Sequence, residues 1–99
     1  MKIDIHLYNK EAELDYIGYI ELDKFDADRC WELCNWKHWR RQGMPENLHA
    51  NISSCTHGIC FTNPDTKEIW MSKSIGWLIG NEYEIKKYIR KNKEELTWI

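Results

Sequence analysis

Apolar and polar positions alternate from the start of the chain. Ile3, Ile5 and Leu7 share one parity and Asp4, His6 and Tyr8 the other, which is the period of a half-buried strand. After a polar connection at 9–12, Leu14, Tyr16, Ile20 and Leu22 fall on one side, with Gly18 between them. Glu13, Asp15, Ile17, Tyr19 and Glu21 fall on the other. The two runs predict an antiparallel hairpin whose outer face shows Asp4, Glu13, Asp15, Tyr19 and Glu21. Such a face is either a solvated sheet surface or an acidic recognition surface.

The period then changes. Three aspartates between positions 23 and 28 suit a helix N-cap and first turn, and the pattern predicts a helix from there to about Gln42. Ala27, Cys30, Leu33 and Cys34 make its apolar side, with Phe25, Trp36 and Trp39 roughly opposite. Lys37, Arg40 and Arg41 would sit at its C-terminal end, where cations favour the dipole, and Gly43 would take the left-handed position after it. Residues 44–51 read as a loop. From Ile52 the chain turns strand-like: Ile59 and Phe61 share a face, Asn63-Pro64-Asp65-Thr66 is a turn, and Ile69, Trp70 and Met71 return. Ile75, Trp77, Leu78 and Ile79 read as a short strand or an apolar loop on the sheet. The last helix starts at Asn81, with Glu84 three residues on, a capping box with asparagine as the cap. Its buried stripe is Ile85, Tyr88, Ile89, Asn92 and Leu96, and Glu82 pairs with Lys86.

The order is thus β-β-α-β-β-α. Strands come in hairpins and no parallel array is visible, so the expected fold is a small single α+β domain. Its 99 residues bury only part of their surface, and a staple would help a core of this size. Six tryptophans and five tyrosines exceed what so small a core can hold, so some large aromatics should reach the surface, where they suit an interface.

Charge narrows the function. The net charge of −2 weighs against a general nucleic-acid binder, although Lys37–Arg41 and Lys86–Lys93 look basic in isolation. Residues 1–28 carry eight acids against three bases, and an acidic face there would suit a basic partner. Met1-Lys2 runs straight into the alternating strand rather than an apolar signal segment, and no apolar run is long enough to span a membrane. A cytoplasmic protein is expected, in which cysteines serve as thiols or metal ligands rather than disulfides.

The four cysteines form two groups. Cys30, Cys34 and His38 are spaced four apart along one side of the first predicted helix, and Cys55 and Cys60 enclose His57. Two pairs from separate elements are a common way to build a tetrahedral structural zinc, here Cys30, Cys34, Cys55 and Cys60, with His38, His57, His49 or His6 as alternates. Simple burial of the thiols in the core stands beside that reading. If 55–60 were a regular strand, Cys55 and Cys60 would point to opposite faces, unless Gly58 bends the chain.

A helix cysteine followed by a strand histidine, Cys30 and then His57-Gly58-Ile59-Cys60, loosely resembles the order in NlpC/P60-type cysteine peptidases. That family's nucleophile motif is absent, since the chain reads Asp28-Arg29-Cys30-Trp31. The resemblance implies a small thiol-dependent hydrolase; a catalytic zinc is the companion alternative. No phosphate loop, HExxH or EF-hand is present.

A compact acidic chain with surplus aromatics and no catalytic motif is similar in profile to small phage-encoded inhibitors of host defence, including anti-CRISPR proteins. That likeness implies a protein-binding inhibitor in the host cytoplasm, its partner a basic nuclease effector. Candidate anchors are Trp36, Trp39 and Arg40 on the helix, with Asp15, Tyr19 and Glu21 on the hairpin. Direct nucleic-acid binding is the remaining alternative.

Overall fold

A computed structural model describes residues 1–9, 11–35, 41–52 and 58–92. The elements are β1 (Lys2–Tyr8), β2 (Leu14–Glu21), α1 (Ala27–Cys34), β3 (Leu48–Ala50), β4 (Ile59–Thr62), β5 (Ile69–Ser72), β6 (Trp77–Gly80) and α2 (Glu82–Lys91). All strands join one antiparallel sheet in the order β3-β2-β1-β4-β5-β6. The α+β class stands, but the order is β-β-α-β-β-β-β-α. Two strands exceed the expected four. β3 replaces the predicted loop at 44–51, and β6 takes the strand option at 77–80.

The helices lie on opposite sides of the sheet. Cys30, Leu33 and Cys34 of α1 pack with Ile3, Ile5, Ile20, Leu48, Ile52, Ile59 and Phe61. Ile85 and Ile89 of α2 pack with Cys60, Ile69, Met71 and Ala12. β4 contributes to both layers, so Ile59-Cys60-Phe61 is buried throughout instead of alternating with polar residues.

The helix α1 is shorter than its sequence pattern suggests. Asp26 caps it, accepting from the Arg29 N–H at 3.1 Å, and the expected apolar side Ala27, Cys30, Leu33 and Cys34 is buried. It ends at Cys34 rather than Gln42. Asn35 leaves the helical region with φ −85° and ψ 103°, a departure that a short polar side chain able to bond its own backbone makes easy. Gly43 does hold a positive φ of 88°, but it lies beyond this helix end. The last turn of α1 carries no basic residue. For α2 the capping box is present as expected: the Glu84 N–H donates to Asn81 Oδ1 at 2.8 Å and the Asn81 N–H to Glu84 Oε1 at 3.2 Å. Lys86 and Glu82 pair at 3.0 Å. Ile85 and Ile89 are buried, Tyr88 and Asn92 partly so, and Leu96 lies outside the described residues.

β2 carries a bulge. Ile5 pairs with Gly18, but His6 pairs with Tyr16, so Ile17 is an extra residue. One inserted residue reverses which side chains face which way. Gly18 has φ +144°, and a Cβ there would lie 2.2 Å from the His49 carbonyl oxygen and 2.4 Å from Ala50 Cα. Only glycine lets β3 approach this closely. Gly18→Ala is expected to cost about 1–3 kcal/mol through strain and overlap, because backbone rather than a movable side chain blocks the methyl. Chemical denaturation checks this. Unchanged stability would mean that β3 does not sit against Gly18.

Candidate functional site

The cysteines do not converge as expected. Cys30 and Cys34 are fully buried in the α1 layer. Cys60 is also fully buried, but on the α2 side, since its strand neighbours Ile59 and Phe61 point towards α1. The sheet therefore lies between Cys60 and the helix pair. Cys55, His38 and His57 lie outside the described residues. Among the described residues no group of three or more His, Cys, Asp or Glu side chains is arranged to hold a metal. Any site built on Cys30 and Cys34 must draw its other donors from outside them. The alternates His6 and His49 belong to the sheet; His6 is the cross-strand partner of Cys60, not of the helix cysteines.

Cys30 and Cys60 are also poor nucleophiles. Burial pushes Cys30 up from 9.0 to about 12, helped by the neighbouring Asp26 carboxylate. Burial alone pushes Cys60 up to about 12, and the Cys60 Sγ–H donates to the Gly58 carbonyl at 3.4 Å. A position near a helix N-terminus by itself lowers a thiol pKa. Desolvation wins instead, and the cap itself is a carboxylate. Thiols that stay protonated at neutral pH do not suit the hydrolase alternative.

The hairpin face differs from its expected composition because of the bulge. Tyr19 and Glu21 share the face away from α1 with Asp4 and Lys2, their cross-strand partners. Beyond the bulge this face continues with Tyr16, opposite His6, while Asp15 pairs with Leu7 on the α1 side. Asp15 thus does not lie with Tyr19 and Glu21. An isolated glycine in a strand pattern is a known sign of a bulge, and Gly18 was that sign.

The resulting face is aromatic with charges at its rim. Tyr19 stacks on His49 of β3, centroids 4.9 Å apart and planes 25° apart, and Lys2 Nζ lies 4.6 Å from the Tyr19 ring centroid. His6 and Tyr16 meet edge to face at 5.6 Å, and Tyr16 is 54% exposed. On this face α2 packs chiefly on β5 and β6, and its cluster reaches Tyr8 and Leu14 at one end of the hairpin. The helix anchors Trp36, Trp39 and Arg40 lie outside the described residues.

On the α1 side a chain of rings runs from Phe25 to Trp70, Trp77 and Phe61, with successive centroids 5.6, 6.0 and 6.0 Å apart. Trp77 Nε1 donates to Asp28 Oδ1 at 3.0 Å and ties the β5–β6 hairpin to α1. The buried Trp70 Nε1 has no acceptor among the described residues. No helix of the described residues is long and apolar enough to cross a membrane. No protein-family model matches this chain, and no curated protein or solved structure matches it either.

Proposed function

We propose that this chain is a small protein-binding module that acts as an inhibitor, occupying a partner's surface through the β1–β2–β3 face opposite α1. The observation that carries the reading is that face: His6, Tyr16, Tyr19 and His49 line a rigid sheet surface, and Lys2, Asp4 and Glu21 stand around them. Rigid aromatics give large contact area at low entropy cost, and a charged rim selects a partner and speeds encounter. The acidic N-terminal region favours a basic partner, and the profile of small phage-encoded inhibitors suggests a nucleic-acid-handling nuclease of the host as its class. A structural zinc enters this proposal only through Cys30 and Cys34 with donors outside the described residues. Elemental analysis of the purified chain decides it, with zinc near one per chain keeping the metal and its absence removing it.

The bulge supplies an internal control. Against a purified RNA-guided nuclease, free and loaded with guide, Tyr19→Ala and Glu21→Lys are expected to weaken binding by at least about tenfold each. Asp15→Lys, on the other side of the sheet, should change it little. Equal effects of Asp15→Lys and Glu21→Lys, or no binding by the native chain, would reject the proposal. Four rings on a sheet also resemble a platform for stacking single strands. Asp4 and Glu21 beside them repel phosphate, so binding of single-stranded oligonucleotides with a steep salt dependence would favour that reading instead.

A further inference from the structure

We infer that the cleft between α1 and the β5–β6 hairpin is a recognition site for a guanidinium group. It lies on the α1 side of the sheet, away from the aromatic face, and does not depend on that face's role. Asp28, Trp31 and Glu32 sit at i, i+3 and i+4 on α1 and so share one flank of the helix. Ser72 and Trp77 are register partners on the hairpin and face them. The cleft they line has a volume of about 560 Å³, within the range of about 300–1,000 Å³ in which small-molecule and side-chain pockets fall.

Its chemistry is specific. Two indoles, Trp31 and Trp77, and two carboxylates, Asp28 and Glu32, line it. The bond from Trp77 Nε1 to Asp28 Oδ1 fixes the Asp28 carboxylate across the cleft, and its other oxygen makes no hydrogen bond among the described residues. Asp28 has no cationic partner among them either. The lining contains one lysine, Lys73, whose Nζ sits 5.6 Å from the ring centroid of Tyr88 on α2, so its charge is drawn towards the other side of the sheet. Glu32 pairs with the Arg29 guanidinium at 3.1 Å, but Arg29 does not line this cleft, both partners are more than half exposed, and such a pair is weak enough for a ligand to compete. A planar, weakly hydrated cation that stacks on an indole while bonding a carboxylate is a guanidinium rather than an ammonium, which is compact and strongly hydrated.

The group could be presented as a free arginine-like molecule or as an arginine side chain of another protein. Calorimetric titration of the purified chain with L-arginine and with the peptide Gly-Arg-Gly separates these sources, with the corresponding citrulline compounds as neutral controls. Saturable binding of either arginine compound but not its citrulline counterpart is expected. Binding of the peptide alone assigns the site to a partner's side chain, and binding of the free amino acid assigns it to a small molecule. Asp28→Asn keeps the acceptor for Trp77 and removes the charge, and should weaken binding roughly tenfold or more. Glu32→Gln, at an exposed position, and Trp31→Leu should weaken it too, while Tyr19→Ala on the opposite face should not. No saturable binding by the native chain, equal binding of citrulline, affinity unchanged in Asp28→Asn and Glu32→Gln, or loss in Tyr19→Ala would overturn the inference. Because no partner protein is used, failure of the protein-binding proposal leaves this result readable.

Discussion

Phe61→Ala is expected to remove about 3–5 kcal/mol of folding stability, the usual cost of deleting a fully buried aromatic ring. Phe61 has no exposed surface and stands at the centre of the α1 layer. Its cross-strand partners are Ile5 on β1 and Trp70 on β5, and its ring meets the edge of Trp77 at 6.0 Å. Alanine would leave a cavity bounded by strands on both sides, which are hydrogen-bonded into the sheet and cannot collapse into it. A domain of this size has about 5–15 kcal/mol in total, so the variant should be partly unfolded at room temperature or melt well below the native chain. Phe61→Leu, which refills most of the volume, should cost far less, about 1 kcal/mol. Urea unfolding followed by tryptophan fluorescence measures both. A loss under about 1 kcal/mol for the alanine variant would mean that Phe61 is not enclosed between the strands and α1.

Stability should also fall steeply in alkali. The folded chain holds the Cys30 and Cys60 protons to about pH 12, whereas the unfolded chain releases them near the ordinary value of 9.0. Between those values the unfolded state binds fewer protons, so raising the pH favours unfolding. The contribution is fully present below about pH 9 and is lost as the pH approaches 12. The slope reaches about 1.4 kcal/mol per pH unit for each thiol. Tyr8, whose phenol is raised from 10.0 by burial and by the neighbouring Cys60, adds the same sign. Urea midpoints at pH 7.5, 9, 10 and 11 read the effect directly. The double variant Cys30→Ala/Cys60→Ala should start less stable at neutral pH, because it loses packing, yet decline more gently. A native chain whose stability is flat from pH 8 to 11 would show that these thiols meet water.

The two effects share an origin. Phe61 and Cys60 are adjacent on β4 and serve opposite helices, so this short strand is buried on both sides. That is why Cys60 is desolvated and its thiol stays protonated at neutral pH.

Much of the local structure was legible in the residues alone. The β1–β2 pairing, the Asn81–Glu84 capping box, the Glu82–Lys86 pair and the apolar side of α1 each depend on residues a few positions apart, or on alternation within one hairpin. Those are the ranges over which the periods of strand and helix hold. The candidate site was less legible. Tyr19 and Glu21 were found, but Asp15 was assigned to their face because a strict period of two was carried through Gly18. His6, Tyr16 and His49 were not grouped with them, since His49 belongs to a three-residue strand too short to show a pattern. The cleft at Asp28, Trp31, Glu32 and Trp77 joins residues 49 positions apart through a side-chain bond, which no local pattern reports.

The sequence by itself determined that this is an α+β chain with a capped final helix, an N-terminal hairpin and thiols on the buried side of a helix. Only the tertiary structure decided which face of the sheet each residue serves. In Ile59-Cys60-Phe61 every residue is apolar, so alternation carries no sign of which helix lies on which side, and Cys60 could have been placed with Cys30 and Cys34 or apart from them. In β2 a single extra residue reverses the faces. Both outcomes follow from pairing with strands distant in sequence, where one register step exchanges the two sides of a sheet.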